Sequence, residues 1–184
     1  MNLEQLANLG EFISGIAVIA SLVYLAIQIR QNTRSVKSST LATNTSNWSS
    51  MLVNLADAEK SDAYLAGTAG KEDINAKHFL QFLLMARAML VSFETQYHQY
   101  LNGALDREIY LGYERSCKDQ ILVYPGFQMV WEITRDGFSP AFAELVDKLI
   151  GEVEAGDASA MMRKWQKLAR QRAQDRSPQP LQPQ

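Results

Sequence analysis

The sequence predicts an all-α protein in which an N-terminal transmembrane helix continues into a stalk and then into an irregular helical bundle. Three observations carry that expectation. Phe12 to Ile29 is an uncharged run of 18 residues, about 27 Å long as a helix against a hydrocarbon core of about 30 Å. No Gly or Pro occurs between Ile16 and Ala66, so nothing obliges a helix begun in that run to stop at a membrane surface. Further along, apolar residues return at steps of three and four, and no segment alternates like a half-buried strand. The chain of 184 residues then divides into an anchor over 1–31, a helical stalk over 32–66, a bundle over 67–156, a basic segment over 157–176 and a disordered Pro/Gln tail over 177–184.

The anchor rests on a modest free-energy margin. Ten of its 18 residues are Ile, Leu, Val or Phe, worth about −3 to −6 kcal/mol on an insertion scale, and Ser14, Gly15, Ser21 and Gln28 take part of that back. A cleaved signal peptide needs a basic segment before the apolar run, whereas this flank carries Glu4 and Glu11. A soluble chain that buries the helix in its own core is the main alternative. Arg30, Arg34 and Lys37 all follow the run, so the positive-inside rule puts its N-terminal side outside and the larger domain in the cytoplasm. Gly10, Ser14, Ala17, Ser21, Tyr24 and Gln28 recur at steps of three and four and share one helix face. Small residues let two backbones approach, and Tyr24 and Gln28 can hydrogen-bond across a helix pair, so this face is the expected contact with a membrane partner or a second copy.

The stalk is the least helix-like stretch by composition. From Asn32 to Ser50, 13 of 19 residues are Ser, Thr or Asn, which compete with helical hydrogen bonding. Leu41, Trp48, Leu52 and Leu55 nonetheless fall near helical spacing, predicting a helix to about Ala58 with a break near Asn44–Asn47. Asn44 and Asn47 each open a glycosylation triplet, which a cytoplasmic stalk would leave silent.

In the body, "GTAG" over 67–70 is the first clear loop. A helix follows from about Glu72 to Leu101, apolar on nearly every side and so expected at the centre of the bundle. Gly103 is placed to end it and Asp106 to cap the next, which runs to about Val123. "YPG" over 124–126 breaks the chain, and Ser139-Pro140 starts the last helix of the body. Ser159 to Arg176 is a basic helix candidate. Its six bases could be drawn to anionic head groups, at about 1 kcal/mol for each base near the surface, or could simply be solvated.

Composition and motifs narrow the chemistry. Between Ser38 and Ala160 there are 17 acids and 9 bases, an acidic body unlike the basic face of a nucleic-acid binder. Cys117 is the only cysteine, which excludes an internal disulfide and a cysteine-rich zinc site. No phosphate loop, dinucleotide fingerprint or nucleophile elbow occurs. Glu94 and His98 could share a metal at i and i+4, but His78 lies about 30 Å away along the same helix. Arg87 and Glu94, two turns apart on a largely apolar helix, are the candidate ion pair or pocket charges. Tyr110, Tyr113, Tyr124, Phe127 and Trp131 read as core, with a small-molecule pocket as the alternative. The expectation is therefore no catalytic, cofactor-binding or metal residue, and no nucleic acid.

Three stretches, "ANLGEFISGIAVIASLVYLAIQIRQNT", "FETQYHQYLNGALD" and "PGFQMVWEITRDGFSPAFAELVD", together resemble an uncharacterised family of small bacterial proteins. Its members have one N-terminal membrane helix and a helical cytoplasmic domain. The resemblance covers most of Ala7 to Asp147 and implies a bacterial envelope setting. It assigns a role to no residue. Residues and resemblance together lead to a single-pass protein of the bacterial inner membrane that serves as a subunit or scaffold of a complex, or alternatively as a membrane-tethered small-molecule sensor.

Overall fold

A computed structural model describes residues 2–154, 156 and 160–175. Arg176 and the tail over 177–184 lie outside the described residues, as do 157–159. The protein is all-α, with seven α-helices and no strand among the described residues. Helix α1 (Leu3–Leu55) is followed by α2 (Ala58–Thr68), α3 (Ala76–Leu101) and α4 (Arg107–Cys117), the last continued by a π-helical turn over Lys118–Leu122. Helix α5 (Pro125–Thr134) leads through a 3₁₀ turn over Arg135–Gly137 into α6 (Pro140–Gly151). Helix α7 (Ala160–Asp175) carries the basic segment, and Met162, Trp165 and Leu168 on it are exposed.

Helix α1 is unbroken through Asn44–Asn47, contrary to the expected interruption. Its 53 residues make a rod of about 80 Å. The polar stretch stays helical because one stripe of it packs on the bundle. Lys37, Thr40, Leu41, Trp48, Met51 and Leu55 are half-buried and Asn44 is buried. Asn44 donates from Nδ2 to Gln99 Oε1 at 2.6 Å, so its amide is engaged in packing rather than open to glycosylation. The break comes later, at Ala56–Asp57, where Asp57 accepts from the Lys60 N–H at 3.3 Å and starts α2. Ser61 Oγ donates to the Leu55 carbonyl at 2.5 Å, satisfying one of the carbonyls orphaned at the end of α1.

Helix α3 starts at Ala76 rather than near Glu72, because Asn75 accepts from the His78 N–H at 2.9 Å and fixes the N-cap. It ends as expected before Gly103, whose φ of +72° lies in the left-handed region. It is not buried all round. Phe82, Ala86, Met89, Leu90 and Phe93 face the core, while Leu80, Leu84 and Val91 are 55%, 60% and 46% exposed on the opposite side. Two aromatic groupings fill the core. Phe82, Tyr64 and Phe127 meet edge-on between α2, α3 and α5. Phe93, Tyr110, Phe142 and Trp131 link α3, α4, α5 and α6, with Tyr100 stacked on Tyr110 at 4.4 Å. Tyr110, Phe127 and Trp131 are thus structural.

Candidate functional site

The N-terminal half of α1 is the most unusual surface of the protein. From Gly10 the helix contains a window long and apolar enough to cross a membrane, and none of that window is buried by the rest of the chain. Ile16, Val23 and Ile27 are 52%, 55% and 50% exposed, so the chain does not fold this segment into its own core. In water, each large apolar side chain left uncovered forgoes about 1.5–3 kcal/mol of burial. Gly10, Ser14, Ala17, Ser21, Tyr24 and Gln28 are all exposed, and a Cβ on Gly10 or Gly15 would meet nothing within 4 Å. Two of the polar contacts on this face are made within the helix. Ser21 Oγ donates to the Ala17 carbonyl at 2.8 Å and Gln28 Nε2 to Tyr24 Oη at 2.8 Å. Internal pairing of that kind lowers the cost of placing these groups in lipid.

Of the basic residues that follow, Arg30 and Arg34 are exposed. Lys37 instead reaches Asp106 Oδ1 at 2.5 Å and ties α1 to the N-terminus of α4. Asp106 occupies the N-cap position, but its side chain makes this ion pair rather than a capping bond.

The two candidate charges on α3, Arg87 and Glu94, have different surroundings. Arg87 is exposed with its guanidinium beside Gly137. Glu94 points elsewhere: its Oε1 accepts from the Ser139 backbone N–H at 2.7 Å and so caps α6 from outside. His98 Nε2 lies 3.1 Å from Ser139 Oγ and 3.9 Å from Glu94 Oε1. The Glu94–His98 geometry is therefore a junction between α3 and α6. Among the described residues, no group of three His, Cys, Asp or Glu side chains is placed to hold a metal ion. Cys117 is buried, and burial pushes its thiol well above the ordinary range, which makes it a poor nucleophile.

A second candidate site lies where the C-terminal half of α1 meets the bundle. Thr45, Trp48, Ser49, Leu52 and Leu55 of α1 form one wall of a cleft of about 410 Å³. Tyr64 of α2, Met89 of α3, Tyr113 and Ser116 of α4, and Gln120 and Ile121 of the π-helical turn close the others. Burial pushes the Tyr64 hydroxyl up to about 12, so it is a neutral phenol at physiological pH. The Trp48 indole N–H is shielded from solvent and has no acceptor. Of the residues read from the sequence as an aromatic cluster, only Tyr113 reaches this cleft, and Arg87 is not part of it. The cleft was hidden from the sequence because its polar groups, Thr45, Ser49, Ser116 and Gln120, come from separate segments. The one available signal was Trp48, a large aromatic in a Ser/Thr/Asn-rich stretch.

No protein-family model, curated protein or solved structure matches this chain.

Proposed function

We propose that this chain is a single-pass membrane-anchored interaction protein, a subunit or scaffold of a membrane protein complex without catalytic activity of its own. One observation carries the reading. Along a single helix, residues 10–36 are all exposed and the C-terminal part is docked along a defined stripe. A bilayer covers the first half at low cost, whereas water does not. The docked half then holds the bundle at a fixed distance, since Lys37 lies about 12 Å along the rod from Ile29.

In this reading the anchor crosses a bacterial inner membrane with its N-terminal side outside and the bundle in the cytoplasm. Arg30 and Arg34 lie at the inner surface, and the family resemblance supports the bacterial setting. The face of Gly10, Ser14, Ala17, Ser21, Tyr24 and Gln28 receives the helix of a partner or of a second copy. After extraction in mild detergent, the full-length protein is expected to co-purify with that partner, or as a discrete oligomer, in fixed stoichiometry. Ser14→Leu combined with Ser21→Leu should loosen the association while leaving the protein in the membrane fraction. A monodisperse monomer in several mild detergents, unchanged by the double substitution, would remove the subunit reading.

A further inference from the structure

We infer that the cleft between the stalk half of α1 and the bundle binds an uncharged, largely apolar small molecule carrying hydroxyl or carbonyl groups. The cleft volume of about 410 Å³ falls within the range of small-molecule sites, about 300–1,000 Å³. Its walls match such a ligand. Trp48, Leu52, Leu55, Tyr64, Met89 and Tyr113 supply apolar and aromatic surface, while Thr45, Ser49, Ser116 and Gln120 supply neutral hydrogen-bonding groups. No Asp, Glu, Lys or Arg lines it, so an ion entering would lose hydration without gaining a counter-charge.

Two further features mark this region as one built to adapt. The π-helical turn over Lys118–Leu122 contributes Gln120 and Ile121 to the wall, and such turns recur at functional sites. The buried Trp48 N–H has no acceptor, and a small resetting of the ring against a ligand oxygen would supply the missing hydrogen bond.

Position selects the source of the ligand. Thr45 to Leu55 lies about 24–39 Å along α1 beyond Ile29, so a lipid rooted in the bilayer spanned by α1 does not reach the cleft. The occupant is a freely diffusing molecule. Because it contacts α1 on one side and α2, α3 and α4 on the other, its binding fastens the stalk to the bundle. The source of the ligand rests on the proposed span, whereas the cleft itself depends neither on the orientation of that span nor on its partner.

The test uses the full chain in lipid nanodiscs, in a Trp165→Phe background that removes the exposed tryptophan. The probe is 4-bromobenzyl alcohol, an uncharged heavy-atom quencher. Quenching of Trp48 is expected to saturate with concentration and to disappear in Trp48→Phe. It should also disappear in Ser49→Phe and, as a second filling variant, Ser116→Phe, each with the near-UV circular dichroism of the bundle retained. The anion 4-bromobenzoate should need a concentration about ten-fold higher or more, about 1.4 kcal/mol or more in binding. Quenching that rises linearly without saturating, or that saturates equally in both filling variants, would overturn the site. Equal potency of the anion would overturn the ligand class.

Discussion

At the scale of single residues, two carboxylates hold the α5–α6 hairpin. Glu94 caps α6 from α3, and Asp147 on α6 gathers donors from α5 and the 3₁₀ turn. Asp147 accepts from Trp131 Nε1 at 2.8 Å, from Arg135 Nε at 2.9 Å and from Arg135 Nη2 at 2.6 Å. The Arg135 hydrogen bonds, with Trp131 adding to them, hold the Asp147 carboxyl below the usual carboxylate range despite the opposing effect of burial. The folded state thus binds this proton less tightly than the unfolded chain does. Its contribution to stability is complete above the ordinary carboxylate pKa and is lost as pH falls through the lower folded value. Asp147→Asn should therefore lower the urea midpoint at neutral pH, followed by near-UV circular dichroism of Trp131. The gap to the wild type should close as pH drops below about 4. A gap that stays constant across that range would show that charge on Asp147 is not what holds the hairpin.

Where elements meet, α2 and α5 approach backbone to backbone. A Cβ on Gly126 would overlap the Gly67 carbonyl, and one on Gly67 would overlap the Phe82 ring. Backbone atoms cannot swing aside as a flexible side chain can, so Gly126→Ala should destabilise the fold by about 1–3 kcal/mol. Gly112→Ala is the matched control, since a Cβ there meets nothing within 4 Å. It should gain about 0.5–1 kcal/mol from helix propensity alone. Denaturant unfolding of the two variants checks both signs. Elements closed by strong local signals were legible in the sequence: Gly103 ends α3, and Ser139-Pro140 opens α6. Others were not, because their causes are tertiary or rest on one side chain. The break at Asp57 depends on a single capping carboxylate, and the continuity of α1 through its Asn-rich stretch depends on Asn44 meeting Gln99 from 55 residues away. The caps show the same division. Asp106 and Ser139 stand at the expected positions, but their side chains bond to Lys37 and His98, and Glu94 caps α6 from another helix. The exposed face of α3 was unreadable for a related reason, since an all-apolar circumference does not say which side lacks a neighbour.

At the scale of the whole molecule, one rod of about 80 Å has two unlike halves. Its second half meets the bundle through Lys37, Asn44, Trp48 and Met51, whereas residues 10–36 are all exposed among the described residues. The apolar window itself was plain from composition; what the fold adds is that the bundle leaves it uncovered. An exposed window of this length and composition is what a membrane span requires. The direct measurement is alkaline-carbonate extraction of membranes from cells producing the full-length protein, with Ile16→Lys plus Val23→Lys as the comparison. Two lysines near the middle of the span cost about 5–7 kcal/mol on the insertion scale, more than the anchor's whole margin. The wild type is expected to stay in the membrane pellet and the double variant to be released. A wild type found in the supernatant, or a double variant retained as firmly, would contradict it.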